Sequence, residues 1–124
     1  MKFAALIFLV LLFIGPCDTD ESTSANDTIY EACIQVKTVA SICGEAVLEI
    51  QQEKYKSLGE DWNGFYNVFF TVLPCGAEGY GSVGSMFTVR LLEKPAQGEC
   101  IMCYATIGYS GTRKYSIAVA EGCQ

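Results

Sequence analysis

Residues 28–59 read Thr28-Ile-Tyr-Glu-Ala-Cys33-Ile-Gln-Val-Lys-Thr-Val-Ala-Ser-Ile-Cys43-Gly-Glu-Ala-Val-Leu-Glu-Ile50-Gln-Gln-Glu-Lys-Tyr-Lys-Ser-Leu-Gly59, and the period assigned to this stretch decides the fold. Thr28 to Glu31 has the capping-box pattern, in which a hydroxyl accepts from one orphan amide and a carboxylate reaches back to another. Ala32, Val36, Val39, Ala40, Cys43, Ala46, Val47 and Ile50 recur at spacings of three and four, with Gln35, Lys37, Glu45, Glu49, Gln52 and Glu53 on the other side. This predicts one long amphipathic helix ending at Leu58-Gly59. Gly44 costs about 1 kcal/mol inside a helix; the alternative is a break near Cys43-Gly44, with the upstream piece pairing as a first strand. In a continuous helix Cys33 and Cys43 stand about 15 Å apart, beyond disulfide reach, so each would be tied to a different strand.

Downstream the period changes to two. After the loop Glu60-Asp61-Trp62-Asn63-Gly64, a strand places Tyr66, Val68, Phe70 and Val72 on one face and Asn67, Phe69, Thr71 and Leu73 on the other. Residues 74–84 carry four glycines and form a loop. A second strand turns Phe87, Val89 and Leu91 inward and Thr88 and Arg90 outward, and Lys94 to Gly98 reverses the chain. Cys103, Ala105, Ile107 and Tyr109 then share a face of a third strand, as do Ile117, Val119, Glu121 and Cys123 of a fourth. Pairing Tyr109 with Ile117 and Ile107 with Val119 sets Cys103 opposite Cys123, whereas a one-residue shift would set apolar against polar faces. A hairpin bridged by Cys103–Cys123, with its loop near Arg113, is expected.

The chain of 124 residues, with a formal charge of −6, is sized for one domain. Eight scattered cations cannot form the basic stripe that neutralises a phosphate backbone, so a nucleic-acid partner is not expected. The absence of histidine removes Ser-His and Cys-His nucleophile activation and imidazole metal ligation. Glu60 and Asp61 are sequence neighbours in a loop, which does not supply two carboxylates facing a common cleft. No enzyme activity, cofactor or metal is expected.

Met1-Lys2 followed by the apolar run Phe3 to Ile14 is too short to span a bilayer and reads as a secretory signal, with Gly15 and Cys17 small at the places that precede a cut before Asp18. The expected organisation is a signal peptide 1–17, a flexible acidic tail 18–27 and a domain 28–124, with no membrane span. Cleavage leaves seven cations against fourteen acids, a charge of −7, since Lys2 departs. Asn26-Asp27-Thr28 fits the N-glycosylation acceptor pattern. The remaining cysteines, Cys33, Cys43, Cys75, Cys100, Cys103 and Cys123, imply three disulfides in an exported chain. Cys100-Ile-Met-Cys103 has neither a second such pair nor a histidine to complete a zinc site. With Cys103–Cys123 assigned, the other four allow three arrangements.

One helix followed by a four-stranded antiparallel meander, secreted and disulfide-bonded, resembles the cystatin superfamily. The residues that carry the resemblance are Cys103 and Cys123, half-cystines with nineteen residues between them across a terminal hairpin, and Gly81-Ser82-Val83-Gly84 directly before the strand Met86 to Leu92. The resemblance implies an α+β fold over residues 28–124, with one long N-terminal helix packed on a four-stranded antiparallel sheet and three disulfides. It also implies inhibition of papain-like proteases through a wedge of three edges. Here residues 18–28 lack glycine, the first loop Tyr80-Gly81-Ser82-Val83-Gly84 keeps only the last glycine of the family's Gln-x-Val-x-Gly motif, and the second, Ser110-Gly111-Thr112-Arg113-Lys114, has no Pro-Trp. Altered specificity is expected.

The candidate contact residues are therefore Tyr80, Gly81, Ser82, Val83 and Gly84 in one loop and Gly111, Thr112, Arg113 and Lys114 in the other. An aromatic side chain on a constrained loop suits a protein-binding surface; the alternative for Tyr80 is a ring folded back onto the sheet. Arg113 and Lys114 either address an acidic partner or solvate a turn, and Trp62 either plugs the helix-to-sheet gap or anchors a partner. The expected function is that of a secreted monomer binding an extracellular protein, as a cysteine-protease inhibitor of cystatin-like type. Two other classes stand beside it: a toxin or effector that binds a receptor, channel or immune protein, and a carrier of a small apolar ligand held between helix and sheet.

Overall fold

A computed structural model describes residues 29–95, 103–121 and 123. The decisive stretch is not a helix. Apart from a helical turn over residues 29–31, it forms two strands, β1 (Ile34–Ile42) and β2 (Glu45–Ile50). They pair antiparallel, and Ile42 meets Glu45 across a two-residue turn. In that turn Cys43 has φ 51° and Gly44 φ 84°, the left-handed pair that a tight hairpin needs to match strand twist.

The helical spacing was ambiguous because Val36, Ala46 and Ile50 satisfy a period of two equally well once the chain reverses at residues 43–44. Ile34, Val36 and Thr38 on β1 and Ala46, Leu48 and Ile50 on β2 are all buried on one face. Five of the nine residues of β1 are β-branched (Ile34, Val36, Thr38, Val39, Ile42); this stiffens χ1 and favours a pleated surface over a helix. A bulge between Thr38 and Ala40 lets Val39 slip out of register.

Three further strands complete an antiparallel sheet with β3 (Glu60–Trp62): β4 (Phe65–Val72), β5 (Met86–Leu92) and β6 (Ser116–Val119), in the order β3-β4-β2-β1-β5-β6. Asn63 and Gly64, with φ 48° and 82°, repeat the tight turn between β3 and β4. Short 3-10 helices occupy Glu53–Leu58 and Glu78–Gly81. The α+β expectation of a long helix on a four-stranded sheet is thus overturned: the described residues are mostly β, with six strands.

The two ends of the sheet come together. Phe70 on β4 donates to the Arg113 carbonyl at 2.9 Å and its own carbonyl accepts from Tyr115 at 3.0 Å, a parallel bridge between Phe70 and Lys114. The chain leaving that bridge runs into β6, which pairs with β5. Strands β1, β2, β4, β6 and β5 therefore curl into a small, partly open barrel. Its interior is filled by side chains: Ile34, Val36, Leu48, Ile50, Phe69, Val89, Leu91 and Ile117 form one buried cluster, with Tyr115 and Phe87 against it. The inward set expected on β5 is as found, with Val89 and Leu91 buried. On β4 it is the Phe69, Thr71 and Leu73 face that turns inward.

The terminal hairpin is also corrected. Residues 103–109 form no strand, and β6 takes β5 as its partner instead. Cys123 is bonded to Cys33 (Cα–Cα 5.8 Å) and Cys103 to Cys43 (Cα–Cα 5.5 Å), so the expected Cys103–Cys123 pair does not form. Cys75 is disulfide-bonded too, and its partner lies outside the described residues. The signal segment 1–17, the tail 18–27, Asn26 and Cys100 also lie outside them. Among the described residues no helix is long and apolar enough to cross a membrane.

Candidate functional site

After β5 the chain returns as a strap, residues 103–115, over the outer face of β2 and β4. Two carboxylates hold it. Glu45, at the start of β2, accepts from the Thr106 hydroxyl and the Ile107 amide, both at 2.8 Å. Glu60, on β3, accepts from the Tyr109 hydroxyl at 2.8 Å, the Thr112 amide at 3.1 Å and the Arg113 amide at 2.6 Å. The Tyr109 ring lies between Trp62 and Phe70, at centroid distances of 5.1 and 5.5 Å, and the Lys114 ammonium stands 5.7 Å from the Phe70 centroid. Gly111 has no room for a side chain, since a Cβ there would sit 2.5 Å from the Glu60 carboxylate.

This arrangement sets the titration of the clasp. The backbone amide of Arg113, followed by those of Thr112 and the hydroxyls of Tyr109 and Thr112, holds the Glu60 carboxyl below its ordinary value, against a smaller opposing push from desolvation. The Tyr109 hydroxyl is pushed up, first by burial and then by donating to Glu60. Because the folded Glu60 is the stronger acid, its contribution to stability is complete above the unfolded value near 4.5 and fades as pH falls through the folded one. In thermal melts from pH 7 to pH 2, the midpoint gap between wild type and Glu60→Gln should be widest at neutral pH and close in acid. A gap that persists unchanged at pH 2 would show that the carboxylate charge is not what holds the strap.

Both sequence-derived loops are tied down. The Thr38 hydroxyl donates to the Tyr80 carbonyl at 2.7 Å, the Ser41 hydroxyl donates to the Gly81 carbonyl, and the Gly84 amide donates to the Thr38 carbonyl at 2.8 Å. The Tyr80 ring packs on Phe87 at 4.7 Å and its hydroxyl donates to Glu121 at 3.3 Å. It is folded back onto the sheet rather than presented outward. Ser82 and Val83 are exposed at the tip. Gly111 and Thr112 belong to the Glu60 clasp, while Arg113 and Lys114, though exposed, belong to the bridge with Phe70. Among the described residues no hydrogen bond, ion pair or ring contact joins the two loops. Trp62 is half-buried on Phe65 and Tyr109, and among the described residues the long helix it was expected to seal against does not form.

A different cluster emerges at the end of the barrel where β1 turns into β2. Ile42, Glu45 and Val72 are direct partners across β1, β2 and β4 and therefore share the outer face. Ile42 is 40% exposed, Val72 46% and Tyr104 fully exposed at 107%. Tyr104 follows Cys103, bonded to Cys43 beside Ile42, and precedes Thr106, bonded to Glu45. The backbone around this tyrosine is thus held on both sides while its ring stands in solvent. The sequence signal for it was the cysteine neighbour alone, and only the Cys43–Cys103 pairing ties it to the β1–β2 turn that follows Ile42.

Among the described residues no group of three or more His, Cys, Asp or Glu is arranged to hold a metal ion. Compared with known proteins, the chain matches no family model, no curated protein and no solved structure.

Proposed function

We propose that this is a secreted binding module that recognises an extracellular protein through the barrel end formed by Tyr104, Ile42 and Val72. The observation that carries the reading is a fully exposed tyrosine on a segment held by a disulfide on one side and a carboxylate on the other. An aromatic ring on a backbone already ordered contributes contact area with little entropy left to lose, and flanking aliphatics exclude water around it. Disulfide bonding and the signal-like start support export. The apolar-carrier reading has less behind it, because the helix-to-sheet space it needs is absent and Phe69 and Leu48 fill the barrel interior.

The test is affinity capture from extracellular fluid with the oxidised chain, followed by titration of the captured protein against wild type and Tyr104→Ala. Truncating a central aromatic anchor should weaken binding about thirtyfold, from the ~2 kcal/mol that marks such residues, with the melting midpoint unchanged. Equal affinity in the variant would remove this surface from the account.

A further inference from the structure

A second surface lies at the other end of β1. Ile34, Val36 and Val89 turn into the barrel, so Gln35 and Thr88, direct partners across β1 and β5, share the outer face. The Gln35 carbonyl accepts from the Gln51 amide at 2.9 Å, just past the end of β2, and the Gln35 amide donates to the Gln52 side-chain oxygen at 3.0 Å. The helical turn over residues 29–31 adds Glu31, the 3-10 helix Glu53–Leu58 adds Tyr55, and the Cys33–Cys123 bond ties the start of β1 to the segment after β6. These residues line a cleft of about 490 Å³, a size that suits a small-molecule site. Gln35 and Ile42 stand seven residues apart on one strand, so roughly 20 Å of β1 separates the cleft from the Tyr104 surface.

We propose that this cleft binds a neutral saccharide, a reading that does not rest on the protein-binding surface at Tyr104. A sugar hydroxyl donates one hydrogen bond and accepts others, so a polyol needs both kinds of partner close together. The Gln35 carboxamide offers both on one planar fork. Gln52 spends its side-chain oxygen on the Gln35 amide, which fixes its orientation and leaves its amino group to donate. The Tyr55 and Thr88 hydroxyls serve either way, and the Glu31 carboxylate can accept from two neighbouring hydroxyls. The Lys54 ammonium stands over the Tyr55 ring at 5.0 Å, so the hydroxyl is what that residue brings to the cleft. An apolar ligand would desolvate these groups without replacing their bonds to water. A phosphate or an acidic sugar would face Glu31, and among the described lining residues no cation offsets that charge.

The probes are four neutral disaccharides, maltose, cellobiose, lactose and mannobiose, titrated into the oxidised, isotope-labelled chain. At least one should shift the side-chain amide signals of Gln35 and Gln52 saturably, with a Kd of about a millimolar, and leave the backbone signals of Ile42 and Val72 unmoved. Tyr55→Phe deletes one hydroxyl and should weaken that sugar about fivefold, the effect of one neutral hydrogen bond. Glu31→Gln should weaken it about tenfold or more, because the bonds lost are to a charged group. Should Glu31→Gln disturb the β1 amide dispersion, Tyr55→Phe carries the comparison alone. Absence of a saturable shift with all four sugars, affinity unchanged in either folded variant, equal binding of the permethylated sugar, or the same shifts produced by inorganic phosphate would each overturn the site. Tyr104→Ala should bind the sugar as wild type does, so a failure of either surface is read separately from the other.

Discussion

A Cys33→Ala, Cys123→Ala double variant is expected to lose about 4 to 5 kcal/mol of unfolding free energy, and the Cys43→Ala, Cys103→Ala variant about 4. The bonds close loops with sequence separations of 90 and 60 residues, and in the chain-entropy model the constraint on the unfolded chain grows with the logarithm of the loop. A domain of this size has only about 5 to 15 kcal/mol in total, so either loss leaves a marginal protein. Urea titrations under non-reducing conditions measure it, and a loss below about 1 kcal/mol would show that the strap and the barrel are held without their covalent ties. The two variants should also differ in kind. Cys33–Cys123 joins the start of β1 to the segment after β6, so its removal acts through the closure of the barrel. Cys43–Cys103 anchors the strap beside Tyr104, so its removal should also weaken partner binding in conditions where the barrel remains folded.

The second large effect is at the centre of the barrel. Phe69→Ala should destabilise by about 3 to 5 kcal/mol, combining lost transfer energy with a cavity that rigid strands cannot collapse into. Phe69 is buried at 1% exposure. Its ring meets Tyr115 edge-on at 5.3 Å, and the Tyr115 hydroxyl donates to the Leu58 carbonyl at 2.8 Å. The substitution therefore removes the packing of the residue that carries the chain from the β4 bridge into β6. Phe70→Ala provides the contrast. That ring lies outside, half-buried between Tyr109 and Lys114, and its loss should cost clearly less. Chemical denaturation of both variants decides the matter: equal losses would mean that the inward face of β4 is misassigned.

Phe69 and Phe70 also show where sequence reading stops. The period of two along residues 65–73 was plain, and so were the strand at 86–92 and its inward residues Val89 and Leu91, because alternation is a property of neighbouring residues. Which of two apolar faces turned inward on β4 was not legible. Both faces are covered, one by the barrel interior and the other by the strap, so neither carries a polar signature. The same double coverage misled the reading of residues 32–50. Val47 is fully buried although it faces outward, and a strand that is apolar on both sides imitates the three-and-four spacing of a helix. Cys43-Gly44 looked like a flaw in that helix and is in fact its refutation, a tight turn with both residues in the left-handed region.

Local chemistry alone was enough to mark the cross-linking of cysteines, the strand periods over residues 65–73 and 86–92 and the absence of histidine. Those properties depend on composition or on residues a few positions apart. Assembly had to decide the rest: that Cys103 finds Cys43 rather than Cys123 and so ties Tyr104 to the β1–β2 turn, that Glu60 reaches about fifty residues ahead to hold Tyr109 and Arg113, and that β6 chooses β5. Each of these is a choice among partners of nearly equal local merit. Only the simultaneous packing of every strand around one core discriminates between them, which is why spacing along the chain could not.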